Sequence, residues 1–265
     1  MTTARAGAAT RSRRAPSIAP VRIAIGVVTG LLLAIAAWYA ADLLRYYDGR
    51  GEVGMDWAFY VGLGQRWLDT GVIYGARQLA GEPYHVLVNV DDLYPPTAIL
   101  FFAAFAVLPP AISAAVWWIV PLAVVIGVLV HLRPRRWSWP LLAVAIAWPR
   151  TLGSVIVGNS DLWSAAFVAG GLVWGWPGAL GAIKPAFAPF ALVGARRRSW
   201  WIAAVAIGAA SVPFVLGGDA ADYVTAATHW DLPWHRSVPN LPLVLLPAIA
   251  WLGRSRDAGD GTLTP

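Results

Sequence analysis

The chain has 265 residues, of which 58% are hydrophobic and only 13% charged, about half the charged share of an ordinary soluble domain. It has no cysteine, which excludes disulfides, thiolate chemistry and Cys-based zinc sites. The net charge of +6 comes from arginines clustered between apolar segments, the pattern of cytoplasmic loops and not of a nucleic-acid surface.

This is the composition of a polytopic membrane protein. Its sixteen tryptophans gather near segment ends (Trp137, Trp139, Trp174, Trp176, Trp200, Trp201, Trp230 and Trp234), as interfacial belts do. Residues 1–20 are small, polar and basic and predict a disordered cytoplasmic tail. Ile23 to Ala41 is a run of nineteen uncharged residues, long enough to cross roughly 30 Å of hydrocarbon and longer than a signal-peptide core. With the basic tail inside, this helix runs outward. Residues 42–96 follow as an outer loop with eight acids against four arginines, and a loop of that length in a compact domain is usually functional. Within it, Trp57, Tyr60, Val61, Trp67 and Leu68 form one helical stripe, suited to a membrane surface. Asp56 stands at the expected N-cap and Gly71 at the stop. Asp69 reads as a solvated residue.

Residues 97–110 are apolar but too short to span, and predict a re-entrant or interfacial helix. Residues 112–132 cross inward to Arg133, Arg135 and Arg136, and residues 138–157 cross outward to the "GNSD" turn at 158–161. Residues 162–176 return inward. Between Trp176 and Arg196 the chain starts and ends inside, which a hairpin broken at Lys184–Pro185 satisfies. Residues 200–217 cross outward, 218–240 form a second outer loop, and 241–252 lead to Arg254 and Arg256 on the inside. The expected fold is therefore all-α. It is a membrane bundle of six to eight helices over residues 21–253, with a cytoplasmic tail at 254–265.

Polar groups at membrane depth are costly and tend to serve function. Two cations qualify: Arg150, in a crossing segment, and Lys184, the single lysine of the chain. Each needs an acid, an anionic ligand such as a lipid phosphate, or a route to the interface. Asp161 is one acid within reach of Arg150 along the chain. His229 and His235, spaced i, i+6, do not share a helix face, and no third strong ligand motif joins them, so a metal site is not expected. The absence of a phosphate-loop motif argues against ATP-driven transport.

Four stretches in order, "MDWAFY" with "GVIY", "YPPTAILFFAAFAVLP", "VGNSDLWSAAFVAGGLVW" and "GALGAIKPAFAPFAL", resemble the GT-C glycosyltransferases. The closest likeness is to the bacterial polyprenol-phosphate-mannose-dependent α-mannosyltransferases of glycosyltransferase family 87, over about residues 20–240. The resemblance implies a GT-C bundle, a polyprenyl-phosphate sugar as donor, no cofactor, and a site on the outer face. It implies that Asp56 is the base and that Lys184, with Pro185, lies near the donor phosphate. Tyr60, Tyr94, Asn159, Asp161, His229, His235 and Asn240 are then sugar or acceptor contacts. The Gly158–Asp161 turn carries two substitutions relative to the family's Gly-Gln-x-Asn.

Such chemistry needs little beyond a base and an anion clamp, because phosphate already leaves well. Asp56 takes the acceptor proton while Arg150 and Lys184 hold the phosphate. One base with no carboxylate nucleophile beside it implies single displacement with inversion. The expected partners are membrane lipids, the lipid-linked sugar and a glycolipid or glycan acceptor. The rival reading is a non-catalytic membrane protein: a lipid-linked-sugar flippase, a transporter or an assembly partner.

Overall fold

The computed structural model describes residues 19–85, 87, 91, 94–231 and 234–255, with side chains for all but 234–236. Asp92, Arg256 and most of the two expected tails (1–20 and 254–265) lie outside the described residues. Every regular element among those described is a helix, as expected. The elements are α1 (Ala19–Asp48), α2 (Met55–Thr70), α3 (Pro96–Ala106), α4 (Pro110–Leu132), α5 (Trp139–Ala147), α6 (Pro149–Val157), α7 (Asp161–Trp174), α8 (Trp176–Ala179), α9 (Arg198–Gly217), α10 (Asp219–His229) and α11 (Leu241–Leu252).

Three of these, α1, α4 and α9, are long and apolar enough to cross a membrane. A fourth crossing arises if α5 and α6 form one span. The segment read as a single crossing is in fact bent by 56° between them. The bend has a local cause: Pro149 supplies no backbone donor, and Trp148 before it is held extended at φ −61°, ψ 128°. The expected outer loop also begins later than Asp42. No glycine or proline interrupts 42–48, so α1 continues to Asp48 and ends in a turn at Gly49–Gly51.

α2 stops at Gly71 as the pattern predicts, but its apolar face does not lie open to a membrane surface. Tyr60, Leu63 and Gly64 are buried, and they pack on α3 through Ile99 and Phe102. Leu68 of the predicted stripe is left exposed. α3 is the short helix expected after Tyr94, and its inner side is core: Ala98, Ile99 and Phe102 are at most 1% accessible. α7 is buried on all sides through its first eleven residues, because Ala165, Ala166, Ala169, Gly170 and Gly171 let α4 and α11 approach closely. At 14 residues it is roughly 21 Å long, less than a bilayer core.

Residues 175–194 form a hairpin broken at Lys184–Pro185, as expected. The chain rises through α8 and a 3-10 turn to Lys184, which is extended, and returns through a second 3-10 stretch beginning at Pro185. The two limbs touch: a Cβ on Gly178 would lie 1.8 Å from the Val193 carbonyl oxygen. That position admits only glycine.

The bundle has two chemically different ends. The Arg135 N–H donates to the Gly253 carbonyl oxygen at 2.7 Å, which joins the foot of α4 to the foot of α11. Ser199 donates to the Trp174 carbonyl oxygen at 2.7 Å, which joins the foot of α7 to the start of α9. Arg133, Arg135, Arg136, Arg196, Arg197, Arg198 and Arg254 thus flank one end of the core helices. Asp56, Asp161 and Asn240 belong to the other.

Candidate active site

The site is built around the turn that separates α6 from α7. Gly158 ends α6 at φ 76°, in the left-handed region, and a Cβ there would lie 2.8 Å from Trp57 and Trp118. Trp117 Nε1 donates to the Gly158 carbonyl oxygen at 2.8 Å and Trp118 Nε1 to that of Val155 at 2.7 Å, so α4 holds the turn from behind. The Asn159 N–H donates to the Ser154 carbonyl oxygen at 2.8 Å. The Asn159 side-chain oxygen accepts the Asp161 N–H at 3.1 Å. Backbone and side chain of Asn159 are both fixed.

Three donors converge on the fully buried Asp161 carboxylate: Lys184 Nζ, Asn240 Nδ2 at 2.5 Å and Ser154 Oγ at 3.3 Å. Lys184, at the hairpin tip and 9% accessible, also donates to Asn159 Oδ1 at 3.0 Å. Asn159 Nδ2 in turn donates to the Asp56 carboxylate at 2.6 Å. One chain of contacts therefore joins Asp56 of α2, Asn159, Lys184, Asp161 of α7 and Asn240 at the head of α11. Asp56 is half-buried, and burial raises its pKa above the ordinary carboxylate value. The Asn159 hydrogen bond and the Lys184 charge pull the other way, and the Asp161 charge adds to the rise.

Asp56 is not the N-cap of its helix. Gly54 caps it, and Asp56 is the second residue of the first turn. The helix starts early because Gly54 donates its N–H to Ile156, leaving Met55 as the first helical residue. A carboxylate there still faces the positive end of the helix dipole. Its side chain turns to Asn159 instead of back to its own backbone.

Tyr60 and Tyr94 line the same region. Tyr94 Oη donates to Tyr60 Oη at 3.1 Å and lies 2.8 Å from Ser160 Oγ. Tyr60 is buried, stacked on Phe102 with centroids 4.8 Å apart, and desolvation raises its pKa. Tyr74 donates to the Tyr94 carbonyl oxygen at 2.6 Å. Beside this cluster lies an apolar cavity of about 240 Å³ between α3, the hairpin and α9. Leu100, Phe101, Leu180, Ile183 and Ile207 are among its walls. Ile183 is the residue before Lys184.

Two expected residues that are described, Arg150 and His229, are not brought into this network. Arg150 is exposed in the first turn of α6, close enough to Tyr47 of α1 to interact electrostatically. Some nine residues, or about 13 Å of helix, separate it from Asn159. Asp161 pairs with Lys184 and not with Arg150. His229 closes α10, its Nδ1 2.8 Å from the Thr225 carbonyl oxygen. The side chain of His235 lies outside the described residues. Asp69 is exposed and accepts from Gln65, as a solvated residue should. Ser154 was not anticipated. Its only signal was that it and Thr151 are hydroxyls in an apolar run.

The sequence model of glycosyltransferase family 87 matches residues 93–258, well over half of the chain. The chain belongs to glycosyltransferase family 87. No curated protein and no solved structure matches it. The family 87 match contains Tyr94, Asn159, Asp161, Lys184 and Asn240 but begins after Asp56 and Tyr60. Asp56 is tied to the matched region by its hydrogen bond to Asn159.

Proposed function

We propose that this family 87 glycosyltransferase is a GT-C enzyme that moves a sugar, mannose in the first instance, from a polyprenyl-phosphate donor to a glycolipid or glycan acceptor on the outer face of the cell membrane. The observation that carries this reading is the Asp56–Asn159–Lys184 series, which sets a carboxylate and a buried ammonium one amide apart. The acceptor oxygen attacks the anomeric carbon, and the bond from that carbon to the phosphate oxygen breaks. The electron pair leaves with polyprenyl phosphate, and the acceptor proton goes to Asp56. A single displacement inverts the anomeric carbon. Lys184 offers the phosphate a positive charge that needs no rearrangement of solvent. In this account the isoprenoid chain runs along the apolar cavity beside Ile183, and tyrosines 60 and 94 face the sugar. The arginine-rich end of the bundle points to the cytoplasm by the positive-inside rule, which puts Asp56 outside.

The second reading, a non-catalytic handler of lipid-linked sugars, draws on one observation: Asp161 already neutralises Lys184 at the tip of a re-entrant hairpin. Purified protein in sealed proteoliposomes, given radiolabelled polyprenyl-phosphomannose and membrane glycolipid, separates the two. Labelled glycolipid with an inverted anomeric centre supports the enzyme. Movement of donor across vesicles without any transfer supports the second reading. Arabinofuranose on the same carrier is the alternative donor to assay.

A further inference from the structure

Among the described residues, Asn159 is the side chain that touches both Asp56 and Lys184. Its orientation is forced. With Oδ1 toward Lys184 and Nδ2 toward Asp56, both contacts are favourable; flipping the amide would set NH2 against ammonium and C=O against carboxylate. Oδ1 already accepts from Lys184 Nζ and from the Asp161 N–H, which uses both of its lone pairs. Nδ2 spends one hydrogen on Asp56 and has one left. That leaves little capacity for a sugar hydroxyl, the role the family resemblance implies. An ammonium on the oxygen polarises the amide and strengthens its N–H as a donor.

We propose that Asn159 is a positioning residue, which relays the Lys184 charge through its amide to aim and ionise the Asp56 carboxylate. This rests on Asp56 being the base. The charged and titratable groups facing Asp56 are Lys184 from the hairpin, Asp161 from α7 and Tyr60 on its own helix. Asn159 lies between the carboxylate and the first of these. The relay lowers the proton affinity of a carboxylate that burial would otherwise raise.

Asn159→Asp is the sharpest test, because it keeps an oxygen for Lys184 and for the Asp161 N–H. The face toward Asp56 changes from donor to like charge, and the oxygen toward Lys184 becomes anionic. Asn159→Ala simply removes the relay and leaves the Lys184–Asp161 pair in place. Two readouts apply: the acid limb of the kcat profile, and the Asp56 carboxyl infrared band, identified by subtracting Asp56→Asn protein. The band is read without turnover. Both midpoints should move upward in both variants, by about one pH unit or more in Asn159→Asp and less in Asn159→Ala. An unmoved band and limb with a raised donor KM would overturn the relay and make Asn159 a sugar contact. Full turnover in Asp56→Asn would instead remove the base reading, a separate failure. Should Asn159→Asp not fold, the Asn159→Ala band alone decides: an upward shift supports the relay and an unchanged midpoint rejects it.

Discussion

Replacing Asp161 with asparagine should destabilise the protein severely, and the structure sets the size of the effect. The Asp161 side chain is 0% accessible and that of Lys184 11%, so removing the carboxylate strands an ammonium with almost no water to turn to. Breaking a buried pair from one side costs about 3–5 kcal/mol. Asparagine also presents an NH2 to one of the donors, Lys184 or Asn240, that Asp161 now accepts from. The companion variant is Asp161→Leu with Lys184→Met, which removes both charges but also takes the acceptor from Asn240 and Ser154. Such double replacements are often neutral or stabilising. Unfolding of purified protein by denaturant titration in detergent, followed by tryptophan fluorescence, gives the difference directly. Asp161→Asn should lose about 3 kcal/mol or more, and the double variant should recover part of it while transferring no sugar. A loss under about 1 kcal/mol in Asp161→Asn, or a double variant no more stable than the single, would refute the reasoning.

Two further outcomes follow from the same geometry. Gly178→Ala should prevent the hairpin from closing and abolish folded protein, whereas Gly127→Ala, with nothing within 4 Å, should match or exceed wild-type stability in thermal unfolding. Because burial holds the Asp56 pKa above its unfolded value, its contribution to stability is present below the unfolded pKa. It is lost as pH rises through the folded pKa. Wild type should therefore lose stability relative to Asp56→Asn as pH climbs from about 4, and its transfer rate should fall on the acid side above the ordinary carboxylate range. Parallel pH–stability curves for the two proteins would contradict this.

Much of the fold was legible because charge placement constrains crossings. Reading the clusters at Arg133–Arg136 and Arg196–Arg198 as lying on one side left room for a broken hairpin at Lys184–Pro185, and the chain does turn there. The kink at Trp148–Pro149 had its signal in the proline, but the apolar run around it reads equally well as one crossing. The stripe on α2 announced a helix, yet not its cover. Whether an apolar face meets lipid or another helix depends on α3, which begins some 25 residues further along the chain. The site was readable as a set of residue types and not as pairings. Asp161 lies closer along the chain to Arg150 than to Lys184, and only the hairpin brings the lysine to it. Asp56 could be placed at the start of a helix from sequence, but its partner Asn159 is 103 residues away, a distance no local pattern encodes.

The most direct test of the account is sugar transfer by Asp56→Asn. Asparagine keeps an oxygen for the Asn159 amide and removes the buried charge, so the variant should fold and bind donor. It cannot take a proton, and loss of a general base costs about 100-fold to 10,000-fold in rate. The account predicts kcat reduced by at least about 100-fold with donor affinity within a few-fold of wild type. Turnover near the wild-type rate in folded Asp56→Asn protein would contradict it.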